Sequence, residues 1–178
     1  MLVYVPLLLY FLLEFVRRDA IKEERNNRGS SILIGVSFFL MIVIPPRIHV
    51  FQKSGNTETF FFYSGIIASF LGIWIRYSAM KTLGRFYSRN VSIQGEHQLI
   101  REGWYRLIRH PGYLGTFITF LGYGCATKSW LSIPVIIILF FMAYAYRIHI
   151  EEKVLVSRFG QDYIDYQKRT WRMIPYVY

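Results

Sequence analysis

The stretch RHPGYLG, residues 109–115, places an arginine, a histidine and a proline at the start of an apolar segment. Pro111 suits the first position of a helix, because the backbone donor that proline lacks would have no partner there. His110 then lies at the helix cap, beside free amides and the positive end of the helix dipole. Together with the charge of Arg109, these groups predict a site for an anionic or electron-rich ligand.

A second set of charged residues follows the last apolar segment of the chain. Arg147 and Glu151 are one helical turn apart and share a face, whereas Glu152 points about 100° away from them. Only residues 127–129 separate the two apolar segments before this set, which predicts an antiparallel hairpin. Arg147 and Pro111 are about equally far from that connection along their two segments. In an antiparallel hairpin they should therefore lie at the same level. We therefore expect the two charged sets to converge at one rim of the protein.

Each of these charged residues also has a simpler interpretation. Arginines at the inner ends of membrane spans commonly fix orientation, and carboxylates near them commonly form solvated pairs that contribute little to stability. The combination of the two sets at one rim is what favours a functional site.

The elements that position these residues are apolar segments. The sequence is 53% hydrophobic and 19% aromatic and yet carries a formal charge of +10, so apolar and basic residues must be segregated along it. Five segments approach the roughly 20 apolar residues that a membrane-spanning helix needs. They are residues 2–16, 31–48, 59–75, 113–127 and 130–146. The sequence thus predicts an all-α integral membrane protein with about five transmembrane helices, the first and fourth being short enough to be interfacial or re-entrant helices instead.

The basic residues predict the orientation of these helices. All Lys and Arg lie in residues 17–30, 76–110 and 147–178, except Arg47, Lys53 and Lys128. Because basic residues concentrate on the cytoplasmic side of membrane proteins, this distribution predicts an outside N-terminus and an inside C-terminus. Orientation explains the charge, so a nucleic-acid partner is not expected. Basic residues follow the first segment rather than precede it, which predicts a retained helix and not a signal peptide.

We expect residues 1–178 to form a single membrane domain, with three spans in residues 1–75 and a catalytic half in residues 76–178. The catalytic half would contain a cytoplasmic segment, the hairpin of residues 111–147, and an amphipathic C-terminal helix. Residues 147–168 predict that helix, because apolar residues recur there at spacings of three or four. These apolar residues are Leu155, Phe159, Tyr163 and Tyr166. The single cysteine, Cys125, is expected to pack in the fourth span, and no metal site is predicted.

Several motifs occur together in the second half of the chain. They are LGRFYS at residues 83–88, HQLI at 97–100, Gly103 with Tyr105, RHPGYLG at 109–115, EEKVL at 151–155 and FGQDYIDY at 159–166. In this combination the sequence resembles the isoprenylcysteine carboxyl methyltransferase family, including its bacterial and archaeal relatives, over residues 83–175. The resemblance implies a membrane enzyme that takes methyl groups from S-adenosylmethionine, bound in a cytoplasmic pocket. The acceptor would be a lipid or lipidated molecule entering from the bilayer, with methylation of the carboxylate of a prenylated cysteine or a similar lipid acid as the leading expectation.

The same resemblance implies roles for individual residues. Arg147 would face the acceptor, and Arg147, Glu151 and His110 would form the catalytic set. The residues implied to bind the cofactor are His97, Gln98, Leu99, Ile100, Tyr105, His110, Pro111, Gly112, Tyr113 and Glu151.

The chemistry of the charged residues agrees with these roles. A sulfonium already activates its methyl group, so the enzyme has mainly to align donor and acceptor and to exclude water. A carboxylate acceptor is ionised at neutral pH and needs a cation to hold it rather than a base, and Arg147 supplies two donors for this purpose. Glu151 would bind the ammonium of the cofactor, and the amides after Pro111 its carboxylate.

Three other functions remain open from the sequence. A lipid hydroxyl, as in alkylpyrone methylation, or a phospholipid amine could be the acceptor, and His110 or Glu151 would then act as a general base. A sterol-type reductase would bind a nicotinamide cofactor, and such enzymes generally have more spans. A non-catalytic membrane protein would use Arg147 and Glu151 only for stability. The sequence predicts no particular oligomeric state.

Overall fold

A computed structural model describes residues 2–16, 28–48, 56–84 and 99–178, and the regular structure in these ranges is helical apart from one β-bridge. The helices are α1 (Val5–Val16), α2 (Arg28–Val43), α3 (Asn56–Leu83), α4 (Pro111–Ala126), α5 (Ser132–Phe159) and α6 (Gln161–Arg169). Short 3-10 helices occupy Leu2–Tyr4, Pro45–Arg47 and Gly103–Arg106.

Three helices are long and apolar enough to cross a membrane. They are Gly29–Arg47, Thr57–Leu83 and Ser132–Phe159, and a shorter apolar helix covers Leu2–Phe15. The chain is therefore an integral membrane protein whose described ranges are helical, as the sequence predicts.

Prolines set two helix boundaries, and the one at Pro111 is where the sequence predicts it. α2 ends at Val43, and Pro45 begins a short 3-10 helix, because a proline ring cannot continue the α-helical bonding pattern. Pro111 is the first residue of α4, with His110 as its cap. The His110 side chain makes no capping hydrogen bond, so its ring is available to other groups.

The third helix is longer than its apolar segment. The sequence predicts a span ending at residue 75, whereas α3 continues to Leu83 and includes Arg76. Within the bundle, Arg76 Nε lies 2.6 Å from Glu14 Oε1 of α1. Because its charge is matched by a carboxylate, Arg76 does not require the helix to end before it.

The predicted amphipathic helix over residues 147–168 is wrong as a single element. α5 runs without interruption to Phe159, and α6 begins at Gln161. The break lies at Gly160, which adopts a φ of +54° that side-chain-bearing residues rarely adopt. The predicted apolar face is divided between the two helices: Tyr163 and Tyr166 of α6 are buried, and Leu155 and Phe159 of α5 are half-buried.

Helices α3 and α4 are in close backbone contact through small residues. A Cβ atom added at Gly72 would come within 2.4 Å of the Thr119 amide nitrogen, and one at Gly115 within 2.6 Å of the Arg76 amide nitrogen. Ser69 Oγ bridges the helices by donating to the Thr119 carbonyl oxygen at 3.1 Å. Small residues of this kind let membrane helices pack closely, and here they fix the start of α4 beside Arg76.

Candidate functional site

The RHP motif is held in place by the C-terminal tail. The Arg109 amide donates to the Trp171 carbonyl oxygen at 2.8 Å, and the His110 amide donates to the Arg172 carbonyl oxygen at 2.9 Å. The Trp171 amide in turn donates to the Leu107 carbonyl oxygen at 3.0 Å. This short parallel pairing fixes the backbone immediately before α4, and with it the direction of the His110 side chain.

The two charged sets predicted from the sequence lie together in the structure. His110 Nδ1 is 3.7 Å from Glu151 Oε2, and His110 Nε2 is 3.4 Å from Glu152 Oε1. We refer to Arg109, His110, Glu151 and Glu152 as the rim cluster. It joins the start of α4 to the last third of α5, as the short connection between these helices predicts.

Within the rim cluster, Glu152 is the carboxylate that holds the other side chains. Arg109 Nε donates to Glu152 Oε1 at 2.7 Å, and Arg172 Nε donates to Glu152 Oε2 at 3.1 Å. The Glu152 side chain is only 6% exposed, whereas that of Glu151 is 28% exposed. Glu152 is therefore committed to internal ion pairs, and Glu151 is the carboxylate that a ligand can reach.

Tyr113 links the imidazole of the rim cluster to its accessible carboxylate. Its hydroxyl donates to Glu151 Oε2 at 2.7 Å. Its ring stacks on that of His110, with centroids 5.5 Å apart and planes 8° apart. One oxygen of Glu151 is thus oriented by a phenol, and its side chain is 28% exposed.

Arg147 lies one turn before Glu151 on α5 and is buried. Its Nη1 donates to Ser30 Oγ of α2 at 2.7 Å. It also interacts electrostatically with Tyr113 and Glu151. A buried guanidinium beside the rim cluster can hold an anionic group with two parallel hydrogen bonds.

The start of α4 is also tied to α3. Arg76 Nη1 donates to the Gly112 carbonyl oxygen at 3.0 Å and to Thr116 Oγ1 at 2.9 Å. Pro111 is buried at the first position of the helix. Arg76 and its partner Glu14 therefore support Pro111 and Gly112, which the resemblance implies bind the cofactor.

The remaining predicted cofactor residues lie before this helix. Tyr105 is buried, and its carbonyl oxygen accepts a hydrogen bond from the Tyr166 hydroxyl at 2.7 Å. Leu99 and Ile100 are half-buried in an irregular stretch before the 3-10 helix. His97 and Gln98 lie outside the described residues. Their predicted roles, like those of the other site residues, stay predictions.

Several residues of the site are not predicted from the sequence. Glu152 is expected there only as a neighbour of Glu151, and the EE doublet is the signal that marks it. Arg172, Ser30 and Tyr163 carry no local pattern that places them at the site, because long-range folding brings each of them there.

The hydroxyl groups of α6 are protonated at neutral pH. Burial, together with the negative charges of Glu152 and Glu151, raises the pKa of Tyr163 above its ordinary value. Burial also raises the pKa of Tyr166, to about 12. Both side chains therefore act as neutral hydrogen-bonding groups.

No group of three or more His, Cys, Asp or Glu residues in the described ranges could hold a metal ion. The rim cluster combines ion pairs, a stacked imidazole and an accessible carboxylate.

Comparison with known proteins identifies methyltransferase relatives. Residues 60–162 match the family model described as phospholipid methyltransferase. A rice protein named probable protein-S-isoprenylcysteine O-methyltransferase (Oryza sativa subsp. indica) is 29% identical over 170 residues, which cover 92% of this chain and 89% of that protein. The protein-S-isoprenylcysteine O-methyltransferase of Saccharomyces cerevisiae is 30% identical over 158 residues, which cover 85% of this chain and 66% of the yeast protein.

A solved structure has the same fold. It is described as the eukaryotic intramembrane Ras methyltransferase ICMT (isoprenylcysteine carboxyl methyltransferase), without a monobody. The match has a TM-score of 0.66 at 24% sequence identity and covers 96% of this chain and 63% of that chain. The helical arrangement described above is therefore shared over nearly the whole chain.

Proposed function

The chain belongs to the phospholipid methyltransferase family, and we propose that it transfers a methyl group from S-adenosylmethionine to the carboxylate of a prenylated cysteine or a similar lipid acid. The resemblance to isoprenylcysteine carboxyl methyltransferases in the sequence is confirmed by the rice and yeast relatives. The predicted membrane methyltransferase is thereby confirmed as a class of enzyme. The donor, the residue roles and the side of the membrane are parts of the proposal.

One observation carries the proposal. His110 lies between the carboxylates of Glu151 and Glu152, and the buried Arg147 stands one helical turn from Glu151. A cation-binding group and an anion-binding group therefore lie side by side. This is what an enzyme needs to bring a donor that carries an ammonium next to a carboxylate acceptor.

The residues present fit S-adenosylmethionine. The accessible Glu151 carboxylate suits the ammonium of the methionine part, and the buried Tyr163 hydroxyl has no hydrogen-bond partner among the described residues. When bound, this cofactor supplies a methyl group activated by a positively charged sulfur. Glu151 and the walls formed by Tyr105 and the start of α4 bind and orient it, and the burial of these walls excludes water.

Arg147 supplies the group that holds the acceptor. Its guanidinium is planar and always charged, so it can bind both oxygens of a carboxylate and direct one of them towards the donor. An ionised carboxylate has no proton to lose, so His110 and Glu151 need not act as bases. Arg147 lies within the helix Ser132–Phe159, which is apolar enough to span the bilayer, and this position suits an acceptor with a membrane-embedded prenyl chain.

We further propose five spans, with the rim cluster on the cytoplasmic side. α1 and α4 would complete the spans: α4 has 16 residues, or about 24 Å, which is slightly short of a typical hydrocarbon core. The basic residues near the rim cluster support the orientation, because they belong on the cytoplasmic side. Arg106 lies just before α4, Lys168 and Arg169 end α6, and Arg101 donates to the Asp162 carbonyl oxygen of α6.

The experiment is methyl transfer from S-[methyl-³H]adenosylmethionine by the purified protein in lipid nanodiscs. The acceptors are N-acetyl-S-farnesylcysteine and, as a matched control, unprenylated N-acetylcysteine. We expect label only on the farnesylated acceptor, and we expect alkali to release it as volatile methanol, because a methyl ester is cleaved by base. Label that resists alkali, or no label on the farnesylated compound, contradicts the proposal.

A phospholipid amine is a second candidate acceptor, favoured by the description of the matched family model. An amine must lose a proton before it attacks, and His110 or Glu151 would then serve as the base. The rate should therefore fall as pH decreases through the pKa of the base, and the product should resist alkali. A pH-independent rate between pH 6.5 and 8 with an alkali-labile product favours the carboxylate.

A further inference from the structure

Helix α6 presents two tyrosines to the interior of the protein. Tyr163 and Tyr166 are three residues apart and so lie on one face of the helix. Both are buried, Tyr163 to an exposure of only 1%, and their ring centroids are 5.8 Å apart. Their positions are thus alike, and their hydroxyl groups can be compared directly.

The two hydroxyl groups differ in their partners. The Tyr166 hydroxyl donates to the Tyr105 carbonyl oxygen at 2.7 Å and so fastens α6 to the segment before α4. The Tyr163 hydroxyl is buried and has no hydrogen-bond partner within the part of the chain that the structure describes. Burying a hydroxyl without a partner costs free energy, and such groups are rare in folded proteins. Stability therefore does not explain the Tyr163 hydroxyl.

The surroundings of Tyr163 indicate what could bind there. Glu152 and Glu151 both act on this hydroxyl electrostatically, and Arg109 acts in the opposite sense. Glu152 is occupied by Arg109 and Arg172, and Oε2 of Glu151 accepts from Tyr113. The charge around the Tyr163 hydroxyl is thus mainly negative, a setting that favours a cationic group with several donors.

We propose that the Tyr163 hydroxyl is a further binding group for the methyl donor and accepts a hydrogen bond from its ammonium alongside Glu151. The inference rests on the proposed function, which supplies the donor. An ammonium has three N–H donors, so a carboxylate oxygen and a neutral hydroxyl can be bound at the same time. Tyr163 thus completes the amino-acid end of the cofactor site from α6.

The test is the substitution Tyr163→Phe in the full chain, purified in nanodiscs and measured by calorimetry with two ligands. S-adenosylhomocysteine carries the ammonium, and 5′-methylthioadenosine lacks the whole amino-acid part. We expect the affinity for S-adenosylhomocysteine to fall roughly 10- to 100-fold, because a hydrogen bond to a charged group is lost. The affinity for methylthioadenosine should not change.

Stability of the ligand-free protein gives the second measurement. Because the Tyr163 hydroxyl has no partner, Tyr163→Phe should leave the Tm unchanged or raise it. The matched control Tyr166→Phe removes the bond to Tyr105 and should lower the Tm by roughly 2–4 °C. A fall of that size in Tyr163→Phe would show a structural partner and overturn the inference.

The binding outcomes separate this inference from the proposed function. If the wild-type protein binds S-adenosylhomocysteine and Tyr163→Phe binds it equally well, the inference is wrong and the proposed function stands. Equal weakening for both ligands also overturns it, because the contact would then not be with the ammonium. If the wild-type protein does not bind S-adenosylhomocysteine, both proposals fail together.

Discussion

Arg109 and Glu152, 43 residues apart in the chain, form a buried ion pair in which Nε lies 2.7 Å from Oε1. Arg109 Nη1 also donates to the Gln167 carbonyl oxygen at 3.1 Å and to the carbonyl oxygen of Thr170. One guanidinium thus joins the residue before His110 to α5 and to the end of α6. Because Glu152 Oε1 also lies 3.4 Å from His110 Nε2, we infer that Glu152 and Arg109 position the imidazole.

We predict that Glu152→Gln destabilises the protein by about 3 kcal/mol, because Arg109 would remain buried without its carboxylate. Thermal unfolding in nanodiscs measures the effect. Glu58→Gln is the matched control: Glu58 lies 3.6 Å from Lys128 in a partly exposed pair, and such pairs contribute less than about 1 kcal/mol. An unfolding temperature of Glu152→Gln equal to that of the wild type would contradict the assignment of Glu152 as a positioning residue.

Arg147 is predicted to affect the acceptor and not the donor. Arg147→Ala should lower kcat/KM for the prenylated acceptor on the order of 100-fold, because a buried cation that holds a carboxylate is lost. Arg147→Lys keeps the charge but not the planar pair of donors, so its kcat/KM should lie between those of the wild type and Arg147→Ala. The dissociation constant of S-adenosylhomocysteine should stay near the wild-type value in both variants.

The substitution Ser30→Ala separates loss of the Arg147 charge from loss of the orientation of its guanidinium. Ser30 Oγ accepts a hydrogen bond from Arg147, so its loss tests how far the serine orients the guanidinium. We expect a smaller fall in kcat/KM than for Arg147→Ala. Unchanged kcat/KM in Arg147→Ala would show that another group holds the acceptor.

Local patterns in the sequence predict the meeting of His110 with Glu151, and nonlocal contacts explain the rest of the site. The proline at the start of α4, the short connection after it and the spacing of Arg147 and Glu151 are local signals, and the structure brings these residues together. Glu152 forms one of its two ion pairs with Arg172. Arg172 lies beside Glu152 because the C-terminal tail pairs through its backbone with residues 107–110. No local pattern encodes that pairing.

The same distinction explains the errors in helix boundaries. Apolarity places the end of the third span at residue 75, yet α3 continues because Glu14 of α1 neutralises Arg76. Periodicity predicts one helix over residues 147–168, yet Gly160 divides this segment into two helices. The break is evident only from the positive φ that Gly160 adopts in the folded chain.

Close packing of α3 on α4 gives another prediction. Gly115→Ala should lower the Tm by several degrees, because its Cβ would lie 2.6 Å from both the Arg76 amide nitrogen and the Gly72 carbonyl oxygen. Gly35→Ala in α2 is the matched control, since among the described residues no atom outside its own helical turn lies within 4 Å of the added Cβ. That substitution should leave the Tm unchanged or raise it slightly, because alanine favours helix more than glycine does. Equal Tm values for the two variants would contradict the packing described.

Alkaline pH should destabilise the protein through the tyrosines of α6. Burial raises the pKa of Tyr166 to about 12 from an ordinary value of 10.0, so the folded state favours the protonated hydroxyl. This contribution to stability is fully present below pH 10 and is lost as pH rises through 12. The free energy of unfolding should therefore decrease between pH 10 and 12, and less steeply in Tyr166→Phe. Tyr176→Phe serves as the control, because that side chain is 85% exposed.

The measurement that tests the central claim most directly is calorimetric binding of S-adenosylhomocysteine to the wild type, Glu151→Gln and Glu58→Gln in nanodiscs. The claim is that the start of α4 and the carboxylate of α5 form one donor site. We predict a single saturable site in the wild type and in Glu58→Gln, and at least tenfold weaker binding in Glu151→Gln, because a charged hydrogen bond to the ammonium is lost. Absent binding in the wild type, or full affinity in Glu151→Gln, would contradict the account.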